Sequence, residues 1–251
     1  MSLRFCDSFD HYVFADINEK WTSQFAGNDV SLVSGVGRRG TTALRVNQQA
    51  EATIKLLDAQ SSFVVGVAIV SATNFPTTSG TIITMRDGST TQIELVQLSD
   101  GTLEVRRGGT GLTAGTSLTG GQSSQVMSAG VTHYLEFLGT ISNSIGANQC
   151  VVKVSGVIWI NVAAGQDTQQ TANAYADTIL LGDDKTAGLV NTYDFDDFYV
   201  CDRTGNECST FLGDIRIDAL FLSLSGTVSN FSPSSAGATA VSMVKQTTPD
   251  D

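Results

Sequence analysis

Three aspartates in one short segment, Asp194, Asp196 and Asp197, have the strongest claim to chemistry in this sequence. They stand in Tyr193-Asp194-Phe195-Asp196-Asp197-Phe198-Tyr199. On a strand, side chains alternate between faces, so Asp194 and Asp196 share one face. Sugar hydrolysis needs two carboxylates facing each other across the bond, about 5–5.5 Å apart when configuration is retained. Phe198 stands where a further acid would fall and the segment holds no glutamate, which argues against a glycosidase. Calcium takes roughly six to eight hard oxygens. Asp194, Asp196 and Asp197 are therefore the calcium candidates, with Asp183, Asp184 and Asp202 nearby and no EF-hand spacing. The competing reading has Asp196 and Asp197 accepting hydrogen bonds from loop amides at a strand start and fixing the turn. On that reading the protein needs no cofactor.

Other chemistries find less. No Gly-x-Ser-x-Gly elbow is present, and the two histidines are His11 and His133. His133 lies in Thr-His-Tyr-Leu-Glu-Phe, sharing a strand face with Leu135 and Phe137, so it reads as structural. His11, between Asp10 and Tyr12, belongs to a packed N-terminal entry. The cysteines Cys6, Cys150, Cys201 and Cys208 show no zinc spacing. Cys201 and Cys208 either bridge a loop or remain thiols. Trp21 and Trp159 read as core residues rather than sugar platforms. No catalytic residue is assigned, and the chain is expected not to be an enzyme.

These residues are positioned by strands. Alternation with period two, broken by turn residues, is the dominant pattern. Residues 63–70, Phe-Val-Val-Gly-Val-Ala-Ile-Val, are almost continuously apolar and predict a strand covered on both faces. Strands at 81–86, 91–98 and 102–106 are joined through Asp87-Gly88 and Asp100-Gly101, both hairpin signals. Further strands are expected at 132–138, 149–155, 157–162, 177–182, 193–201 and 214–221, with Ser155-Gly156 turning the sharpest hairpin. One short helical turn is expected within 9–21. Residues 108–125 read as a long Gly/Ser/Thr-rich loop with an edge strand at its centre. The expected fold is all-β, a two-sheet antiparallel jelly-roll sandwich over 1–222, followed by an extended Ser/Gly/Thr-rich arm over 223–251.

Charge narrows the partners. The net charge of −11 opposes nucleic-acid binding, and the basic pairs are Arg38-Arg39 and Arg106-Arg107, each beside glycine. No apolar run is long enough for a membrane helix, so no membrane partner is expected. The first residues lack the pattern of a signal peptide.

Residues 132–162, with His133 to Phe137, then Gln149 to Val154, then Ser155-Gly156-Val157, resemble the strand–hairpin core of concanavalin A-like (LamG-like) sandwiches. Three further pieces resemble virion structural proteins of tailed bacteriophages: Phe5-Cys6-Asp7-Ser8-Phe9-Asp10-His11-Tyr12, Phe195 to Asp202, and Phe211-Leu212-Gly213-Asp214-Ile215-Arg216-Ile217. That resemblance implies a viral protein of the virion, made in a host cytoplasm: a tail appendage, baseplate part or capsid decoration. It would form homo-oligomers and contact other virion proteins. The alternative is a carbohydrate-binding module that adheres to host-surface glycans, through the loop edge at 108–125 and the acidic turn at 183–197.

Overall fold

The computed structural model describes residues 3–22, 30–47, 51–71, 79–109, 115–182, 192–204 and 210–217. The chain opens with β1 (Leu3–Asp7), a 3-10 turn at Phe14–Asp16 and the one-turn helix α1 (Ile17–Lys20). Next come β2 (Val30–Ser34), β3 (Thr42–Asn47), β4 (Glu51–Gln60), β5 (Ser62–Ser71), β6 (Gly80–Asp87), β7 (Thr90–Gln97) and β8 (Thr102–Arg107). The rest are β9 (Thr116–Val126), β10 (Thr132–Thr140), β11 (Val151–Val154), β12 (Val157–Asn161), β13 (Ala176–Gly182) and β14 (Thr192–Asp202).

They form two antiparallel sheets. The larger, eight-stranded sheet runs β12-β11-β10-β5-β14-β3-β2, with β1 also paired to β14. The six-stranded sheet runs β4-β13-β6-β7-β8-β9. Inward residues of both sheets, among them Val65, Val67, Ile69, Met85, Ile93, Leu95, Leu135, Phe137, Ile179 and Phe195, make one continuous core. Each fully buried Val, Leu, Ile or Phe of this kind contributes about 1.5–3 kcal/mol over its exposed form.

The expected strands lie where alternation placed them, with two exceptions among the described residues. The glycine-rich stretch holds an eleven-residue edge strand, β9, paired to β8, in place of a mostly irregular loop. In the other direction, Gly213 to Ile217 alternate like a strand but pair with none. This segment lies across the outer face of the larger sheet. Phe211, Leu212, Ile215 and Ile217 pack there on Val64, Ala68, Tyr134, Leu138, Val151, Tyr199 and Cys201. Side chains satisfy its backbone: Leu212 N–H donates to the Tyr199 hydroxyl, Gly213 N–H to Glu136, Ile217 N–H to Asp197, and Arg38 donates to the Ile215 carbonyl. Alternation reports burial of one face and cannot tell a ladder from such a strap. The strap also explains why the run 63–70 is apolar on both faces: odd residues of β5 face the inter-sheet core, and Val64 and Ala68 face the strap's cluster.

The N-terminal entry is tied by a buried carboxylate. Asp7 accepts hydrogen bonds from Phe9 N–H (2.9 Å), Tyr12 Oη (2.7 Å) and Trp21 Nε1 (2.7 Å), and Lys20 Nζ lies 3.1 Å away. Trp21 packs with Phe5, Phe9 and Phe198. The arm proposed for 223–251 lies outside the described residues.

Candidate functional site

The turn between β2 and β3 is tight enough to require glycine. A Cβ on Gly37 would lie 2.6 Å from Thr41 Oγ1 and 2.8 Å from Asp196 Oδ2. That close approach seats the Asp196 carboxylate against the turn. Its Oδ2 accepts Arg38 N–H at 2.8 Å and lies 2.9 Å from Thr41 Oγ1, while Oδ1 accepts Asp197 N–H at 2.8 Å. Asp197 sits at a break in the β14–β5 register with φ 48°. This turns its side chain toward the strap, where Oδ1 accepts Ile217 N–H and Oδ2 accepts Arg38 Nη1 at 3.2 Å.

Arg38 is therefore committed to the fold. It donates to Asp197, Asp214 and the Ile215 carbonyl, and its guanidinium covers the Tyr134 ring at 5.3 Å. Arg39 is different. It is exposed, has φ 62°, and has no hydrogen-bond or ion-pair partner among the described residues. A non-glycine residue in this conformation stores roughly 1–3 kcal/mol of backbone strain.

Arg38, Arg39, Thr132, Tyr134, Ser155 and Asp214 line an open cleft of about 230 Å³. Ser155, at the β11–β12 hairpin tip, is also left-handed (φ 48°), as this two-residue turn with Gly156 demands. Ser155 and Thr132 are both exposed, and neither hydroxyl has a partner among the described residues. Tyr134 is buried at the base of the cleft and donates its hydroxyl to the Asp197 carbonyl, and burial raises its pKa. Burial first, and the Asp197 charge second, push Asp196 up to about 6. Burial also raises Asp197, against hydrogen bonds from Ile217 and Arg38.

The calcium candidates thus have protein partners. Asp194 and Asp196 share the outer face of β14, but Asp194 is held in a two-pronged pair by Arg45, at 2.7 and 2.8 Å. Asp196 and Asp197 fix the turn and the strap. No group of three metal-binding side chains occurs among the described residues. The glycan surface expected from 108–125 with 183–197 is not brought together in its described parts: β9 edges the six-stranded sheet, whereas β14 is central in the other. Residues 183–191 lie outside the described residues. His133 accepts from Ser128 N–H and faces the half-buried Trp159; His11 is exposed beside Tyr12 and Lys20. Both histidines have lowered pKa values, from burial first.

Two polar groups escaped the sequence reading. The cleft is one: its signal was the basic pair set between glycines in Gly37-Arg38-Arg39-Gly40, which by itself reads as a loop or strand end. The other is Glu104 on the outer face of the six-stranded sheet. It is closed on itself, accepting from Arg106 Nε and from Ser117 Oγ at 2.6 Å.

No family model and no curated protein matches the chain. Solved structures do. The cellulose-induced protein Cip1 superposes with a TM-score of 0.58 and 15% identity, covering 83% of this chain and 99% of that one. The marine alginate lyase from Aplysia kurodai gives 0.55 and 12%, covering 80% and 97%. The carbohydrate-binding module CBM66 from Bacillus subtilis gives 0.46 and 8%, covering 71% and 94%. These likenesses are of fold, and the first two correct the assignment to a tailed-phage virion as tail, baseplate or capsid component. The sandwich read as viral is shared, over four-fifths of the chain, with non-viral proteins. The three motifs behind that assignment are folding devices: the Asp7 tie, the Asp196–Asp197 turn and the strap over 211–217.

Proposed function

We propose that this chain is a glycan-binding domain, with its sugar site in the cleft beside the Arg38–Arg39 turn. The observation that carries the reading is the free polar set around one concavity: the Arg39 guanidinium and the hydroxyls of Thr132 and Ser155, over a base formed by Tyr134. Ligand orientation in such sites is fixed by a few convergent polar donors and acceptors of this kind. Sites for drug-sized ligands run about 300–1,000 Å³. A cleft of about 230 Å³ fits one sugar unit better than a long stretch of polymer. The fold neighbours named for cellulose induction and alginate cleavage give the reading its context.

Binding without catalysis is the favoured form. Among the described residues lining the cleft, Asp214 is the one carboxylate, and it is paired with Arg38, so no pair of acids faces across the cleft there. A glycan array followed by titration calorimetry tests the proposal. Binding that is lost in the double variant Thr132→Val, Ser155→Ala, with an unchanged melting temperature, supports it. A blank array at high protein concentration, or binding indifferent to the double variant, overturns it.

A further inference from the structure

We propose that the sugar unit taken by this cleft carries a carboxylate, and that Arg39 is the residue that selects it. The inference rests on the glycan-binding reading and adds the chemical class of the ligand.

The argument is one of elimination among charges. Two guanidinium groups line the cleft. That of Arg38 is neutralised by Asp197 and Asp214 and held by the Ile215 carbonyl and the Tyr134 ring. It cannot turn to a ligand without releasing the strap. That of Arg39 has no carboxylate within reach among the described residues, and its backbone is held left-handed by the turn whose next residue is Gly40. The neighbouring carboxylates Asp196, Asp197 and Asp214 all have partners in the turn, in the strap or on Arg38. Among the described residues the cleft therefore presents one unpaired guanidinium beside two free hydroxyl groups. A planar guanidinium matches a carboxylate with two parallel hydrogen bonds, while Thr132 and Ser155 can each donate to and accept from ring hydroxyls. A neutral sugar would offer Arg39 no charge-assisted pair of hydrogen bonds.

The net charge of −11 repels an acidic polymer at long range, so recognition rests on close contact with a single unit. This sets the probe: a monosaccharide rather than a polysaccharide.

Calorimetric titration compares glucuronic acid, its methyl ester, glucose and glucose 6-phosphate against the wild type, Arg39→Ala and Arg39→Lys. Glucuronate should bind at least about tenfold more tightly than its ester or glucose, the size expected for one charge-assisted contact. Arg39→Ala should abolish that preference at an unchanged melting temperature, and Arg39→Lys, a point charge without the fork, should keep part of it. Ester and acid binding equally, a preference that survives Arg39→Ala, or tighter binding of glucose 6-phosphate would overturn the inference. Neutral sugars bound in the cleft as tightly as the acid would overturn it alone and leave the glycan-binding reading standing. A protein that binds no sugar on the array would overturn both.

Discussion

Tyr199 and Glu136 meet across an intervening strand, above Gly66. Glu136 on β10 and Tyr199 on β14 both pair with Gly66 on β5, and the phenol donates to Glu136 Oε1 at 2.7 Å. A Cβ at position 66 would lie 2.0 Å from the Tyr199 ring. The missing side chain is what lets the ring cross.

Gly66→Ala should therefore destabilise the protein by about 3 kcal/mol, through overpacking and loss of the buried hydrogen bond. Urea unfolding measures it. In a Tyr199→Ala background the same change should cost far less, because the clash is gone; an equal cost in both backgrounds would refute this account.

Glu136 is buried, and its Oε1 also accepts Gly213 N–H at 2.8 Å. Glu136→Ala leaves one buried and one partly buried donor without a partner, a loss of about 2–3 kcal/mol. Hydrogen exchange should rise first at Leu212 and Gly213. Glu136→Gln, which keeps an acceptor oxygen, should restore most of the protection.

Acidity should stabilise the region of the Arg38 turn. Asp196 titrates at about 6 in the fold against 3.8 unfolded, so between these values the folded state binds the extra proton. Stability then falls as pH rises from about 4 to about 6, and Asp197, raised as well, acts in the same direction. Thr41 Oγ1, 2.8 Å from the Arg38 carbonyl, can give its proton there and accept one from Asp196. Asp202 acts oppositely: burial opposes its ionisation, but hydrogen bonds from Thr204 and Arg4 outweigh it, and its contribution is lost only below the ordinary carboxylate range. Unfolding free energies across pH 4–7 should show the decline, and Asp196→Asn should flatten it.

Millimolar calcium should leave the melting temperature unchanged, since Asp194 is paired with Arg45 and the oxygens of Asp196 and Asp197 accept from the turn and the strap. An upward shift of several degrees would restore the metal reading. Arg45→Ala, which leaves the largely buried Asp194 carboxylate without its two-pronged partner, should cost about 1–3 kcal/mol.

The sandwich from residue 63 onward was legible because strands such as β7 and β10 alternate apolar side chains into the inter-sheet core with polar ones on the other face, whereas β1 to β4 carried no such pattern that was read. Phe63 to Val70 even announced two covered faces, though not what covered the second. The strap was misread for the opposite reason: Ile215 and Ile217 alternate like a strand, but the partners of their backbone come from distant side chains, Asp197 and Arg38. The cleft was not legible, because Arg39, Thr132 and Ser155 are far apart in sequence and nothing local marks one arginine of a pair as spent and the other as free. Asp196 and Asp197 do accept loop amides, but from a register break in the middle of β14 rather than at a strand start, and the turn they fix is the distant one between β2 and β3.

The position of β14 has a consequence for synthesis. The last described strand lies in the middle of the larger sheet, between β5 and β3, and also carries β1. A nascent chain that has made β5 must hold an apolar edge open until β14 emerges, an interval on the order of ten seconds at roughly 5–20 residues per second. The ribosome-bound intermediate is thus a sheet split down its centre, exposed to every neighbouring chain in the same state. Chains cut short before Thr192 should be recovered with chaperones or in aggregates rather than as a smaller domain.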